Sequence, residues 1–557
     1  MESLFQQIGL IIIGATFAGF LARYANQPLI PAYLLAGIFL GPLFGIVQNS
    51  EVITGLSELG IVFLLFLVGL EIDLSKLKPV LNVAIIGGLA QIIFVGLFGY
   101  FVGEALGFTR IESLYIGLII AMSSTMVVVK MLSERKELDT VHGRLTIGIL
   151  ILQDIVAIAI LVFLQSAEGV NSFPGILLIL KVTLAFSVTL LVLKFLAAPL
   201  FALAAPVQEL IFFIALSICF FFALLFQWEG FSLSIGAFVA GVTLANSPFH
   251  LEIATKVRAL RDFFAAVFFV SLGLQVTLIS TDRLLYPLLV LILLTVVLKP
   301  IITLGICTAF GYSKRPAFIS SLSLAQVSEF SLIIAAQGLA LGQLNGEFFT
   351  LTIILTMVTL TLASYMLKFE SHIYRVALPF LILLEKCHLA QPPFMMLPKK
   401  TKWDIVLCGF HRMGYNIYKD LNSKQKIVVV DYDPDILLRA GEEKIPFIYG
   451  DATDREVLEY AGMRHARLLI STIPDISANM TILALARKIN KRVQIIVAAQ
   501  QYKDAATLYR AGATFVVLPH LLGGKYTKKL ITTVFTSPAR IEKEKERQLN
   551  ELSEVRE

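Results

Sequence analysis

Asp154 is the sole charge in the apolar run Leu145 to Leu164, LTIGILILQDIVAIAILVFL, and it lies at the middle of that run. A run of this length crosses a bilayer, and a carboxylate at its centre costs on the order of 2.5–3.5 kcal/mol on insertion scales. So costly a group calls for a function, and the simplest is to bind and release a cation or a proton. Gln153 precedes it, so the site offers one acid and one neutral amide. One carboxylate holds a metal ion or a proton but not both comfortably, which is the minimal physical basis for exchanging one against the other.

The bland alternative is a structural acid held by a basic partner. Lys299, in TVVLKPIITL, is the natural candidate, because pairing lowers the cost of both charges. Lys299 also precedes the helix-disturbing Pro300, and could equally meet the free carbonyls of a broken helix end. Glu329 either balances the positive end of a half-helix or lines the ion path. Lys181 and Lys194 share a span and snorkel from it, while Glu71 and Asp73 close another span as solvated caps.

A second constellation lies further along. The predicted strand Asp404 to Cys408 runs into Gly409-Phe410-His411-Arg412-Met413-Gly414 and then a helix, the context of a dinucleotide fingerprint with its middle glycine replaced by His411. That glycine normally lets the backbone approach a pyrophosphate. Asp431 follows about 20 residues on, where a carboxylate would bind ribose hydroxyls. Tyr432 and Asp433 come next, and the third strand ends in Gly450-Asp451-Ala452-Thr453. Three strand ends thus converge on one sheet edge, as a nucleotide pocket or as a doubly wound domain that has lost its ligand.

The elements that must position these groups follow from composition. Of 557 residues 57% are hydrophobic and only 15% charged, with mean hydropathy +0.81, which excludes a soluble protein and implies a polytopic membrane protein. Spans are expected near 5–23, 29–47, 54–71, 81–103, 112–133, 145–165, 174–203, 207–227, 231–246, 260–279, 284–311, 316–341 and 348–368, about thirteen in all. Two of them read as discontinuous: AMSSTMVVVKM from Ala121 and SSLSLAQVSEFSLIIAAQG from Ser320 carry small and polar residues where a plain span has leucine. Broken helices mark the ion site of inverted-repeat transporters; close packing through Ser and Thr is the alternative.

An odd count puts the termini on opposite sides. Arg23, Lys76, Lys78, Arg135, Lys136, Arg144, Lys256, Arg258, Arg261, Lys314 and Arg315 fall on the side of the soluble domain, against Arg110 and Arg283 on the other. The soluble domain is therefore expected in the cytoplasm and the N-terminus outside. The first apolar run lacks a small-residue cleavage site and reads as a retained span.

Beyond Lys402, strands expected at 404–408, 426–431, 447–449, 468–472, 494–498 and 514–518 alternate with helical segments, the rhythm of a parallel doubly wound sheet. The chain thus divides into a membrane region over 1–384, a Pro-containing linker over 385–401, a nucleotide-type domain over 402–525 and a charged tail over 526–557. The net charge of +6 fits anionic lipid or a nucleotide, with no nucleic-acid stripe. The four cysteines have no metal-ligand spacing.

With these residues in view, the chain resembles the monovalent cation:proton antiporter-2 family, and most closely its members with a cytosolic RCK (TrkA-N) domain, such as the KefC-type potassium efflux systems. The resemblance is carried by Gln153-Asp154 in ILQDIVAI, GLEIDLSKLK from Gly69, SSTMVVVKML from Ser123 and FFVSLGLQV from Phe268. In the soluble part it is carried by GFHRMG, VVVDYDPD and YGDATDREVLEYAG.

It implies a homodimer in a prokaryotic inner membrane, formed through both membrane and RCK domains, in which a bundle with two crossed broken helices moves like an elevator and exposes Asp154 to each side in turn. Ser123, Ser124, Thr125 and Gln153 are the implied neighbours of the ion, potassium or sodium, with Glu329 and Lys299 near the crossing. The RCK resemblance implies regulation by an adenine nucleotide, AMP, ATP or NAD(H), held by Gly409, His411, Arg412, Met413, Gly414, Asp431, Tyr432, Asp433, Asp451, Ala452 and Thr453. A neutral residue before the carboxylate implies one cation exchanged for one proton. Two other readings are weighed against this. Against a ligand-gated potassium channel-like system, this sequence shows no carbonyl filter sequence such as TVGYG, and against a membrane-anchored oxidoreductase, no substrate domain follows the nucleotide motif.

Overall fold

The computed structural model describes residues 4–71, 83–166, 208–228, 233–277, 282–377 and 402–546, apart from short interruptions within these ranges. The expected span at 174–203 with Lys181 and Lys194, most of GLEIDLSKLK, and the linker at 385–401 lie outside the described residues. The chain divides into two compact units, Met1–Gln391 and Pro392–Glu557.

The first unit is helical: α1 (Leu4–Tyr24), α2 (Leu29–Ile38), α3 (Glu51–Glu71), α4 (Gly88–Ala105), α5 (Arg110–Ala121), α6 (Thr125–Glu134), α7 (Val141–Ser166), α8 (Gln208–Trp228), α9 (Leu233–Leu244), α10 (His250–Leu274), α11 (Asp282–Leu293), α12 (Lys299–Ala309), α13 (Lys314–Ser323), α14 (Glu329–Ala340) and α15 (Gly346–Lys368). Among the described residues seven helical stretches are long and apolar enough to cross a membrane, and shorter apolar helices join them. Helix α10 starts at His250, well before the expected 260, because its first turns, HLEIATKVRALRD, are helical yet too charged to read as membrane-embedded.

Both expected discontinuities are present. Helix α5 stops at Ala121 and α6 starts at Thr125; α13 stops at Ser323 and α14 starts at Glu329. Serines make the restarts possible, since the first amides of a half-helix have no partner of their own. The Ser124 hydroxyl accepts from Val127 N at 3.4 Å and the Ser328 hydroxyl from Phe330 N at 3.1 Å. Ahead of Lys299, Leu294–Leu298 winds as a π-turn, a local rewinding next to Pro300, which has no N–H to give.

The helices pack as two groups. Helices α1, α2, α3, α8, α9 and α10 form one; α4 to α7 and α11 to α15 form the other, and α2 against α15 is a contact that joins them. Close backbone approach holds the first group. A Cβ at Gly37 would lie 2.0 Å from the Val270 carbonyl oxygen, and one at Gly273 would lie 2.3 Å from that of Leu34, so α2 and α10 meet only because both residues are glycine.

The second unit is an α/β domain with β1 (Ile405–Cys408), α16 (Arg412–Leu421), β2 (Ile427–Asp431), β3 (Phe447–Tyr449), α17 (Arg455–Tyr460), β4 (Leu468–Ser471), α18 (Ile476–Ile489), β5 (Gln494–Ala498), α19 (Tyr502–Arg510), β6 (Phe515–Val517) and α20 (Pro519–Thr536). All six strands are parallel, in the order β3-β2-β1-β4-β5-β6. Strands β1 and β2, IVLC and IVVVD, are buried throughout, the unbroken apolar pattern of a sheet covered on both faces. The order reverses between β1 and β4, the switch point at whose carboxyl edge ligands bind in doubly wound sheets. Helix α20 runs through the expected domain end at 525.

Candidate functional site

Asp154 sits on α7 and is 4% exposed. Its Oδ2 accepts a hydrogen bond from the Thr125 hydroxyl at 2.8 Å. Thr125 is the first residue of α6, so the acid meets a half-helix at its amino end, where free N–H groups and the helix dipole favour negative charge. The two breaks meet beside it. The Ser123 hydroxyl donates to the Leu324 carbonyl at 3.1 Å, and Gln326 Nε2 donates to the Ser124 carbonyl at 3.4 Å. A third bond, from the Ser331 hydroxyl to the Ile119 carbonyl at 2.8 Å, ties α14 to α5. These are crossed broken helices.

Lys299 is fully buried, and its ammonium donates to the Met122 carbonyl at 2.8 Å and to the Gln326 carbonyl at 2.7 Å. Each carbonyl belongs to one break. Of the two sequence readings, the geometry follows the one in which lysine meets broken helix ends, and among the described residues no ion pair joins it to Asp154. The acidic neighbour of Asp154 is Glu329, 2% exposed, which lies against Ser124 and the Met126 backbone. Its Oε2 and the Oε1 of Gln326 have no hydrogen-bond partner among the described residues. Glu329 was expected near the crossing, and it starts the half-helix α14 there.

Gln153 is bonded at both ends of its amide: Oε1 accepts from Ser123 N at 2.9 Å, and Nε2 donates to Gln91 Oε1 at 2.5 Å. Gln91 and Gln326 are the functional candidates that sequence reasoning missed. The signal for Gln91 was present, as a lone amide in the apolar stretch GLAQIIFVG.

In the second unit the fingerprint loop has the geometry its glycines imply. Gly409 has φ +88°, and a Cβ at Gly414 would lie 2.1 Å from the Gly409 carbonyl oxygen, so α16 packs directly on the loop. His411 is exposed. Asp431 Oδ2 accepts from Phe410 N at 2.6 Å, which ties the acid at the end of β2 to the loop after β1. The Thr472 hydroxyl, at the end of β4, donates to the Gly409 carbonyl at 2.9 Å. Met413 is half-buried at the start of α16, Ala452 is buried, and Thr453 is half-buried beyond β3. Tyr432, Asp433, Asp451 and the Arg412 side chain lie outside the described residues. The loop, Asp431 and Thr472 surround the amino end of α16, which suits a phosphate.

Comparison with known proteins gives the family of the chain. Residues 11–369 match the family described as "Sodium/hydrogen exchanger, transmembrane", and residues 405–519 match the TrkA-N domain. YbaL of Escherichia coli (strain K12), whose name describes a cation/proton antiporter, is 30% identical over 91% of this chain and 94% of its own. The glutathione-regulated potassium-efflux system protein KefC of Cronobacter sakazakii is 29% identical over 86% of this chain and 77% of its own. K(+) efflux antiporter 5 of Arabidopsis thaliana is 33% identical over 66% of each chain. Among solved structures, the sodium proton antiporter MjNhaP1 of Methanocaldococcus jannaschii aligns over 68% of this chain and 97% of its own, at 18% identity and TM-score 0.49. Its relatives are transporters, which sets the oxidoreductase reading aside, and the chain belongs to the sodium/hydrogen exchanger family of membrane proteins, with a TrkA-N domain after its membrane region.

Proposed function

We propose that this protein exchanges a monovalent cation for protons at Asp154, with potassium the first choice of cation and sodium the second. The observation that carries the reading is a buried carboxylate bonded to Thr125 where two helix breaks cross. The half-helix start stabilises the charged acid when a cation is bound, and a proton replaces the cation when it leaves. Thr125, Ser124 and Glu329 are the other groups toward the ion; Ser123, Gln153 and Lys299 hold the backbone of the breaks. The names of the potassium-efflux relatives support potassium.

The two helix groups support alternating access in which the group that contains Asp154 slides against the other as an elevator, one cation moving for one proton. An adenine nucleotide, AMP, ATP or NAD(H), binds between the Gly409–Gly414 loop, Asp431 and the 450–453 turn, and sets the rate of exchange. His411, Arg412, Met413, Tyr432, Asp433, Asp451, Ala452 and Thr453 complete that pocket. The protein works as a homodimer in a prokaryotic inner membrane, its soluble domain in the cytoplasm and its N-terminus outside, as the loop charges support.

The test uses proteoliposomes with a trapped pH dye. Added potassium or sodium changes the internal pH with the wild-type protein, and Asp154→Asn abolishes the change. Full exchange by that variant removes Asp154 from the mechanism, and a current that scales with imposed voltage contradicts one-for-one exchange and favours a channel.

A further inference from the structure

We propose that Gln91 is a positioning residue for the exchange site, which together with Gln153 clamps the Asp154 helix to the end of α5 and to the backbone inside the first helix break. This rests on the reading of Asp154 as the exchanging group. Gln91 is fully buried on α4, where an amide is costly unless it is hydrogen-bonded. It is bonded at both ends. Its Nε2 donates to the Ala121 carbonyl at 3.2 Å, its Oε1 accepts from Gln153 Nε2 at 2.5 Å, and Gln153 Oε1 accepts from Ser123 N at 2.9 Å. The two ends of this chain fix both amides without ambiguity, since a backbone carbonyl only accepts and a backbone N–H only donates.

The chain spans the break. Ala121 is the last residue of α5, Ser123 lies inside the interruption, and the groups that bond there are ones the lost helical turn has left without partners. Helix α4 is held close at this level: a Cβ at Gly88 would lie 2.7 Å from Leu152 Cδ2. Gln153 is adjacent to Asp154, and Ser123 is two residues before Thr125, which bonds to Asp154. The clamp therefore sets how the acid and its hydroxyl partner meet, with no contact of Gln91 to the ion itself. A short stem with two fixed bonds at each amide holds such a geometry tightly.

The experiment compares Gln91→Leu, Gln91→Glu, Gln153→Leu and the double variant Gln91→Leu/Gln153→Leu with the wild type and Asp154→Asn, all as full-length protein in proteoliposomes. Gln91→Leu is expected to raise the apparent KM for the cation about tenfold, equivalent to about 1.4 kcal/mol, and to shift the pH of half-maximal exchange, while the rate at saturating cation changes little. Gln91→Glu in its neutral form keeps one acceptor and gains one O–H donor, so it restores the KM at acid pH and loses it at alkaline pH. The double variant is no worse than Gln153→Leu, because both residues serve one clamp. An unchanged KM and pH profile in Gln91→Leu overturns the proposal. So does a loss at every cation concentration that matches the loss of folded protein, or additive effects in the double variant. A wild type that fails to exchange refutes the functional reading itself, whereas exchange by both wild type and Gln91→Leu with equal KM refutes only the clamp.

Discussion

Lys299 is fully buried, which is tolerable only because its side-chain nitrogen donates to two carbonyls, one from each helix break. A buried acceptor left without its donor costs roughly 1–3 kcal/mol, and both carbonyls lose their partner with the lysine. Lys299→Met is therefore expected to destabilise the membrane unit by about 3 kcal/mol or more. Asp154→Asn keeps an oxygen for the Thr125 hydroxyl and leaves stability near that of the wild type. Thermal unfolding of the purified variants separates the two: if Asp154→Asn lowers the melting temperature as far as Lys299→Met does, lysine and acid act as a pair and the helix-end role fails. Sequence alone left both roles open, because a lysine before a proline has the same spelling in each.

The elements themselves were largely legible. The two interruptions fall inside the segments whose serines and glutamines replaced leucine, since a half-helix needs side chains that accept from its first amides, and Ser124 and Ser328 do so. The contact between the segments came only from the family resemblance, because Ser123 and Leu324 are about 200 residues apart and no local pattern pairs them. The turn between α6 and α7 adds a pH dependence of its own. Burial pushes the Glu137 carboxyl up, but the bond from His142 at 3.2 Å and the charges of His142, Arg135 and Arg315 outweigh it and hold the acid below its usual range. A carboxyl held low stabilises the fold above the ordinary carboxylate range, and that contribution is lost as pH falls through its folded value. Glu137→Gln is thus expected to lower the melting temperature at neutral pH and to flatten its fall toward acid pH, read from melting curves over a pH series. An unchanged acid slope would remove Glu137 from this role.

At the scale of the molecule, a membrane exchanger unit is followed by a nucleotide-type sheet, and the second unit makes its own prediction. A ligand that binds only the folded state at a hundred times its dissociation constant stabilises by about 2.7 kcal/mol. AMP, ATP or NADH should therefore raise the unfolding temperature of the full-length protein, and Gly414→Val should abolish the rise, because a side chain there meets the Gly409 carbonyl. No shift with any of the three would mean that the domain has kept its fold and lost its ligand.

The sequence by itself determined the membrane class, the positions of the two breaks, the cost of Asp154, and the six strands of the doubly wound sheet, because hydrophobic run length, strand alternation and an isolated mid-span charge are local properties. Only the tertiary structure decided how the groups around Asp154 bond. Thr125 at the start of a half-helix, Glu329 as its buried acidic neighbour, Lys299 on the carbonyls of both breaks, and the Gln91–Gln153 chain are contacts between residues far apart in sequence. Hydrogen-bond partners of that kind are chosen by how helices cross, and no spacing along the chain records it.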